Sequence, residues 1–417
     1  MRSKTTLHNI EVTGLSDDGR GIAKVDEKTV FIEQSVPGDK VDIQVIEQHE
    51  NYDCAHVINL LSASDKRSVP FCQYSQSCGG CQLQHIDINT QRHWKNRNFI
   101  TRLTKSVNNQ FTQIQPPIFG ADKGYRRRAR FGLAISKKDK QARLGFRQKQ
   151  SNDLIDIEQC PVLSDALNQT LKQQREHLIS TASRSEREVN LVEADNGCFI
   201  HIDKLNDCHE KCESAEKPFY EIDHLKLAFP RDGFVQVNAE INQKMIKQAI
   251  DWLELKKHHS VLDLFCGVGN FTLPLAQHCK TIIGIEGLSE LVNTAKSNAQ
   301  TNHLINSTFY KANLFDECRE SSWFRKQKYD RILLDPGRQG AFEISKILHL
   351  LKPKVIVYVS CNAATLIRDI KELEKQGYLL HKACLMDMFP HTTHAEVMVQ
   401  LKKVKQTKKR DNRVFKF

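Results

Sequence analysis

Two side chains in the C-terminal third have the types and the spacing for covalent catalysis. Cys361 follows the apolar run VIVYVS, and Glu396 lies 35 residues later in HTTHAEV, where it opens another apolar run. A thiolate can act as a nucleophile, and a carboxylate can remove a proton. A cysteine at a strand end is more often a small buried thiol. Whether Cys361 and Glu396 are catalytic therefore has to be judged from the motifs around them.

A glycine loop after a strand predicts a cofactor site. The run Val261–Leu264 leads into CGVGN, with a helix expected from about Asn270, and Glu286 ends the next strand 23 residues after Asp263. Glycines let the backbone approach a ligand at the carboxyl end of a strand, and an acid there suits ribose hydroxyls. The third glycine of the dinucleotide fingerprint is absent. We therefore expect S-adenosylmethionine (SAM) rather than NAD.

The residues after the strand RILLDP indicate which atom receives the methyl group. Asp335-Pro336 is followed by Gly337-Arg338 and not by the Pro-Tyr or Pro-Phe that is usual in amine methyltransferases. A thiol suits uracil C5, because its addition at C6 makes C5 nucleophilic and a base then removes the C5 proton. Cytosine-C5 RNA methyltransferases carry a cysteine directly after the equivalent Asp-Ala-Pro motif. This chain has none there, which favours uracil.

Thiols near the middle of the chain have the spacing of a metal site. Cys72, Cys78 and Cys81 form C-x5-C-x2-C, and Cys160, which precedes a proline, is the best fourth ligand. This pattern favours [4Fe-4S] over zinc, which prefers paired C-x2-4-C knuckles, and over plain thiols. A second metal site at His391 and His394 is less favoured, because these two histidines lack a nearby third ligand. A pair in a polar loop is expected to be surface thiols: Cys208 and Cys212.

These side chains must be positioned by the folded elements around them. A length of 417 residues suggests about three domains. Five short strands within residues 6–62 suggest a small β-barrel of the OB type. Strand-like alternation over residues 125–160 precedes a helix at 164–180. From residue 260 strands alternate with helices, which predicts a parallel sheet. We expect domains at 1–65, 66–235 and 236–417, with a helix around 91–115 that packs on the last.

Charge indicates a polyanionic partner. The net charge is +11, and Lys123–Lys149 holds eleven basic residues against one acid, while Lys402–Lys416 holds eight against one. Aromatic and guanidinium groups interleave as a stacking and phosphate surface would: Tyr125, Arg126, Arg127, Arg128, Arg130 and Phe131. The alternative is an ordinary amphipathic strand. The N-terminus has no secretory signal, and apolar runs fall far short of the ~20 residues of a membrane helix, so we expect a cytoplasmic protein without a membrane partner.

These motifs together resemble the RNA uracil-C5 methyltransferases. The shared segments are DLFCGVGNF, SCN and FPHTTHAE, together with the four-cysteine set of the cluster-carrying branch, and the N-terminal strands resemble the TRAM domain, an RNA-binding module. Ala363 departs from the usual proline after SCN, and Gly337 occupies a variable position. The resemblance implies a Rossmann-like α/β methyltransferase domain, an N-terminal OB-like β-barrel and a small iron–sulfur α+β middle domain.

The resemblance also implies residue roles and a target. Cys361 would be the nucleophile and Glu396 the base, and the cluster ligands would be Cys72, Cys78, Cys81 and Cys160. The residues that match SAM contacts are Gln236, Phe265, Asn270, Glu286, Asn313 and Asp335. The branch with both a TRAM domain and a cluster modifies 23S ribosomal RNA at a uracil-1939-type site. Alternatives are another ribosomal or transfer-RNA uracil, or a non-catalytic iron–sulfur RNA-binding protein; no protein partner is evident.

Overall fold

A computed structural model of the protein describes residues 5–108, 110, 112–203, 217–325 and 327–404. Cys208, Cys212 and most of the basic block Lys402–Lys416 lie outside these residues. Within the described chain, no helix is both long and apolar enough to cross a membrane. The chain folds into two compact units: Met1–Ile100 with Pro117–Met245 and Leu385–Glu396, and Thr101–Pro116 with Ile246–Cys384 and Val397–Phe417.

The first unit begins with a six-stranded sheet built from residues 6–62. Its spatial order is β1-β5-β6-β4-β3-β2, and the pairs are antiparallel except β4 with β6. Alternating apolar side chains such as Ile32 and Ile43 form its core. The five expected strands are confirmed within these six, and closure into a barrel stays a prediction. The bounds are β1 Thr6–Glu11, β2 Gly14–Leu15, β3 Gly21–Val25, β4 Lys28–Glu33, β5 Lys40–Gln48 and β6 Tyr52–Ser62.

A second sheet of this unit carries helix α2 (Asp165–Ser180) on one face. The helix starts where Ser164 accepts a hydrogen bond from the Leu167 N–H, which satisfies an otherwise unpaired backbone donor. Its Leu171 packs with strand residues such as Phe131 in the core. The antiparallel order is β11-β10-β8-β9, and β12 pairs with β13. The bounds are β8 Arg128–Ile135, β9 Ala142–Gly145, β10 Arg187–Ala194, β11 Gly197–Ile202, β12 Phe219–Ile222 and β13 Leu225–Ala228.

The second unit contains an eight-stranded sheet of order β16-β15-β14-β17-β18-β20-β19-β7. The first five strands of that order, from β16 at the edge to β18, run parallel to one another. Strand β20 is antiparallel to β18. The expected parallel strands are confirmed. The bounds are β7 Gln113–Ile114, β14 Ser260–Leu264, β15 Thr281–Glu286, β16 Ser307–Lys311, β17 Arg331–Leu334, β18 Val355–Ser360, β19 Tyr378–Met386 and β20 Glu396–Lys403.

Helices α4 to α7 lie between successive strands from β14 to β19, whereas α1 and α3 come earlier in the chain. The bounds are α1 Ile88–Ser106, α3 Ala239–Trp252, α4 Thr272–Ala276, α5 Ser289–Thr301, α6 Phe342–Ser345, α7 Ala363–Lys375 and a 3-10 turn at Leu348–Leu351. The expectation of a helix over 91–115 is wrong at its end. Helix α1 stops at Ser106, because Gln113 and Ile114 pair with β19 and their backbone groups serve a sheet.

Candidate active site and cysteine pocket

The glycine loop between β14 and α4 has an unusual backbone. Phe265, Gly267 and Gly269 have φ values of +66°, +55° and +98°. Glycine adopts this left-handed region at little cost, whereas a phenylalanine there is strained. The Gly267 N–H donates to Glu286 Oε2 at 3.1 Å, so the acid that ends β15 fastens the loop. A Cβ at Gly267 would meet no atom within 4 Å, which leaves open space beside the loop.

Two acids stand at the ends of the neighbouring strands β14 and β17. Burial raises the pKa of Asp263 to about 8 and that of Asp335 to about 7. Asp263 is fully buried; its Oδ2 accepts from the Thr272 hydroxyl, and its Oδ1 has no hydrogen-bond partner among the described residues. An amine or hydroxyl of a ligand would satisfy that oxygen. No role was expected for Asp263 from the sequence, although its position directly before the loop was a usable signal.

The structure brings five of the six expected SAM residues into one unit. Phe265 and Asn270 lie in the loop, Glu286 ends β15, and Asp335 follows β17. Asn313, after β16, is exposed, and its side-chain amide donates to Asp316 at 2.8 Å. The sixth, Gln236, belongs to the first unit, where its carbonyl accepts from Arg127 Nε at 2.8 Å. The loop, the acids and their open space fit a nucleoside cofactor.

Cys361 stands between the end of β18 and the start of α7. Asn362 caps the helix by accepting from the Ala364 N–H at 3.0 Å, and its amide donates to the Arg338 carbonyl at 3.2 Å. Ala363 takes the first helical position, where proline is favoured but not required. The replacement therefore leaves the turn intact. The positive end of the helix dipole lies next to the thiol, a location that favours an anion.

Asp369 of α7 holds the loop that follows Asp335. Its Oδ2 accepts from the Tyr358 hydroxyl at 2.7 Å and from the Ala341 N–H at 2.6 Å, and it is fully buried. Strand β18, helix α7 and this loop are thus joined by one carboxylate. The turn that carries Cys361 is fixed on both sides.

Glu396 is the last residue of the first unit and the first residue of β20. It is 5% exposed. The next residue, Val397, lies opposite Ser360 in the antiparallel pair of β20 and β18, and Cys361 comes directly after Ser360. The expected strand from Glu396 to Lys402 is confirmed.

The four predicted cluster cysteines line one cavity of about 160 Å³ in the first unit. Burial raises the pKa of the Cys78 and Cys81 thiols and raises that of Cys160 to about 11. The backbone at Cys160 is fixed by Asn168, whose Oδ1 accepts from the Cys160 N–H at 2.9 Å. Two distant loops therefore present their sulfurs to a shared space.

Other metal candidates are weaker. Ligand atoms of Glu47, His49 and Cys54 lie within 4.8 Å of one another, but the Arg20 guanidinium donates to Cys54 Sγ at 3.2 Å. That cation opposes a metal ion at this place. His391 Nδ1 lies 3.2 Å from the Gln91 amide nitrogen and its Nε2 lies 3.4 Å from Asp122, so both ring nitrogens face protein groups.

The expected stacking surface at residues 125–131 is largely wrong. Tyr125, Arg127, Arg128 and Phe131 are buried, and Arg130 remains substantially exposed and pairs with Glu188 at 2.9 Å. Phe131 faces the core beneath α2, because β8 is an interior strand of its sheet. Most of the interleaved aromatic and basic residues are therefore covered, and Arg130 is left largely open to solvent.

Comparison with known proteins shows the family. The family model described as tRNA (Uracil-5-)-methyltransferase matches residues 221–404, and the TRAM domain model matches residues 7–58. The crystal structure of Pyrococcus abyssi tRNA (uracil-54, C5)-methyltransferase, in complex with S-adenosyl-L-homocysteine, matches with a TM-score of 0.71 at 23% identity. It covers 94% of this chain and 99% of that chain, which shows the same fold.

Curated relatives match along almost the whole length. The 23S rRNA (uracil(1939)-C(5))-methyltransferase RlmD of Aliivibrio fischeri (strain MJ11) is 42% identical over 424 residues, covering 95% of this chain and 96% of the relative. The enzyme of the same name from Histophilus somni (strain 129Pt) is also 42% identical, covering 92% and 93%. The chain therefore belongs to the RNA (uracil-C5)-methyltransferase family, with the 23S rRNA (uracil(1939)-C(5))-methyltransferases as its relatives over nearly its full length.

Proposed function

We propose that this protein transfers a methyl group from SAM to C5 of a uracil in 23S ribosomal RNA, at the uracil-1939-type site. The observation that carries the proposal is the whole-length similarity to curated enzymes of that activity. It is supported by a glycine loop beside the buried Asp263 and by a cysteine held in a capped turn. Because C5 chemistry requires an unstacked base, the target uracil would be flipped or already unpaired.

The residues that would hold SAM are Gln236, Phe265, Asn270, Glu286, Asn313 and Asp335, with Asp263 added from the geometry. SAM supplies the electrophilic methyl group. The Cys361 thiolate adds to uracil C6, and the displaced C5–C6 electron pair makes C5 the nucleophile that takes the methyl group. S-adenosylhomocysteine leaves.

Glu396 completes the reaction. After methyl transfer C5 carries both the methyl group and its original hydrogen. The Glu396 carboxylate removes that hydrogen as a proton, the C5–C6 double bond forms again, and the bond from C6 to Cys361 breaks. The burial of Glu396 shields this step from bulk water.

We further propose that Cys72, Cys78, Cys81 and Cys160 hold a [4Fe-4S] cluster. All four cysteines line one cavity, and their C-x5-C-x2-C spacing with a distant fourth cysteine favours a cluster over the paired C-x2-4-C knuckles of zinc. A cluster held by all four thiols would tie the two loops together. Anaerobically purified protein should contain iron and sulfide near four each per chain, and stoichiometric zinc would overturn the assignment.

The division into domains remains our proposal: an RNA-binding TRAM barrel at 1–65, a middle iron–sulfur domain at 66–235 and a methyltransferase domain at 236–417. The TRAM match at 7–58 supports the first boundary. The net charge of +11 supports a polyanionic partner, for which we propose ribosomal RNA in the cytoplasm.

The test uses the purified protein, tritiated SAM and unmodified 23S ribosomal RNA. Tritium label should appear at one uracil of the RNA, and the Cys361→Ala variant should give no label. RNA that contains 5-fluorouracil should trap a covalent adduct with the wild-type protein, because fluorine cannot leave as a proton does. Label at a different ribosomal or transfer-RNA uracil would correct the target site. An RNA complex without label or adduct would overturn catalysis and favour a non-catalytic RNA-binding protein.

A further inference from the structure

The segment that leads into Glu396 has no helix or strand of its own. Residues 387–395, all of which the structure describes, connect β19 to β20. His391 at its centre has a φ of +64°, a left-handed conformation that costs a non-glycine residue free energy. Such a backbone persists only when surrounding groups hold it. These groups come from helix α1 and from the loop before it.

Gln91 holds the strained residue from the side of α1. The Gln91 side chain is 1% exposed, and its Oε1 accepts from the His391 N–H at 3.1 Å. Its Nε2 donates to the carbonyls of Leu83 and Ile86 at 2.9 and 2.7 Å. The His391 carbonyl in turn accepts from the N–H groups of Gln82 and Leu83, both at 3.0 Å. Gln91 therefore joins His391 to the loop that precedes α1.

Lys95, one helical turn after Gln91, holds the start of the same segment. Its ammonium donates to Asp387 Oδ1 at 2.7 Å and to the Phe389 carbonyl at 2.9 Å. Both side chains of this ion pair are 1% exposed. Arg92 adds a second cation at 3.3 Å from Asp387 Oδ2. Burying an ion pair this deeply costs desolvation, and a well-packed hydrophobic pair of similar volume often stabilises a fold as well or better.

We propose that Gln91 and Lys95 are positioning residues for Glu396, and that they act by fixing the 387–395 segment. The proposal rests on the proposed function, in which Glu396 removes the C5 proton. A base must lie within hydrogen-bond distance of that proton, and a displacement of about 1 Å can cost about 10²-fold in rate. Loosening the segment should therefore slow elimination more than thiol addition, which depends on Cys361 in the other unit.

The experiment follows the covalent protein–RNA intermediate with ordinary uracil RNA on denaturing gels. We expect Gln91→Met, and the paired variant Lys95→Met with Asp387→Asn, to release methylated RNA about 10- to 100-fold more slowly than the wild type. Their trapping by 5-fluorouracil RNA should stay within about threefold of wild type, because addition and methyl transfer precede the base step. The paired variant leaves neither Lys95 nor Asp387 as a buried charge, and Arg92, which loses the Asp387 carboxylate, keeps its hydrogen bond to the Gly120 carbonyl and its place over the Phe119 ring. Arg97→Met, which removes an exposed charge from the same helix, is the matched control and should release normally.

The outcomes separate the two proposals. Normal release by both variants, with normal trapping, would overturn the positioning role while leaving the proposed function intact. An equal loss of trapping and release in both variants would indicate a merely structural role and would also overturn it. Absence of any adduct with the wild-type protein would instead overturn the proposed function, and the positioning role with it.

Discussion

SAM affinity should depend on pH through Asp335. Burial raises the pKa of this carboxyl to about 7, because the low-dielectric surroundings disfavour its charged form. Asp263 beside it has a pKa of about 8 for the same reason. SAM carries a net positive charge, so it should bind preferentially when Asp335 is ionised. Binding would then release a proton, and affinity should rise with pH.

The magnitude follows from the ionised fraction of Asp335. With a pKa of about 7, about 9% of the carboxyl is ionised at pH 6 and about 76% at pH 7.5. If only the ionised form binds well, the apparent dissociation constant falls in proportion. Affinity should therefore increase about eightfold across this range, or about 1.2 kcal/mol. Asp263 stays mostly protonated over the same range.

Calorimetric titration at pH 6, 6.75 and 7.5 and constant ionic strength would measure this dependence. S-adenosylhomocysteine lacks the sulfonium charge and should show a smaller slope. Asp335→Asn, which is neutral at every pH, should remove the slope and keep the lower affinity. An affinity for SAM that is flat in the wild type, or that falls as pH rises, would refute the link between Asp335 ionisation and cofactor charge.

The same carboxyl should affect the stability of the cofactor-free protein in the opposite sense. Its folded pKa of about 7 lies above the unfolded value of about 3.9, so the folded state binds more protons between these limits. Its contribution to stability is present below about pH 4 and is lost as pH rises towards 7. Relative to Asp335→Asn, the wild type should therefore become less stable in urea unfolding between pH 5 and pH 7.5.

Further variants test the remaining roles. Glu396→Gln should leave a protein–RNA band with ordinary uracil RNA, because an amide cannot take the C5 proton, and turnover should fall by about 10²-fold or more. Cys361→Ala should abolish methylation while SAM affinity in calorimetry stays within about twofold, since the thiol forms no part of the cofactor loop. Cys160→Ser should lose iron and lower the unfolding midpoint, because ligation energy is also folding energy. Arg67→Met should cost about 3 kcal/mol or more in urea unfolding, since it leaves the fully buried Asp39 carboxylate, 2.6 Å from Arg67 Nη2, without its cation.

The central strands β14, β17 and β18 of the second unit's sheet were predictable from sequence because nearly all of their residues are buried. Val261–Leu264 and Val355–Ser360 read as largely apolar runs, which is typical of parallel strands covered on both faces. The glycines after the first run fixed the loop, since few other residues accept its positive φ values. The helix expected over residues 164–180 is present as α2, which begins after Ser164 at its N-cap.

Burial of polar side chains was not predictable in the same way. Arg127 and Arg128 read as an exposed basic surface, but residues more than 60 positions away cover them: the Arg127 guanidinium lies over the Tyr220 ring, and Arg128 donates to the Asp232 carbonyl at 2.9 Å. Alternation along a strand shows which residues share a face, and it does not show what covers that face. Asp263 could have been singled out by its place directly before the glycine loop, but the lack of a partner for its Oδ1 is visible only in three dimensions.

The placement of Glu396 shows most clearly what a motif leaves out. The sequence HTTHAEV marks the base by resemblance, yet no residue in it explains the left-handed His391. That conformation depends on Gln91, 300 positions earlier, and on the ion pair of Lys95 with Asp387, 292 positions apart. Each contact is a polar group buried at a desolvation cost. Gln91 and Lys95 should therefore be sensitive to substitution, although they lie outside the motif and helix α1 contains no catalytic residue.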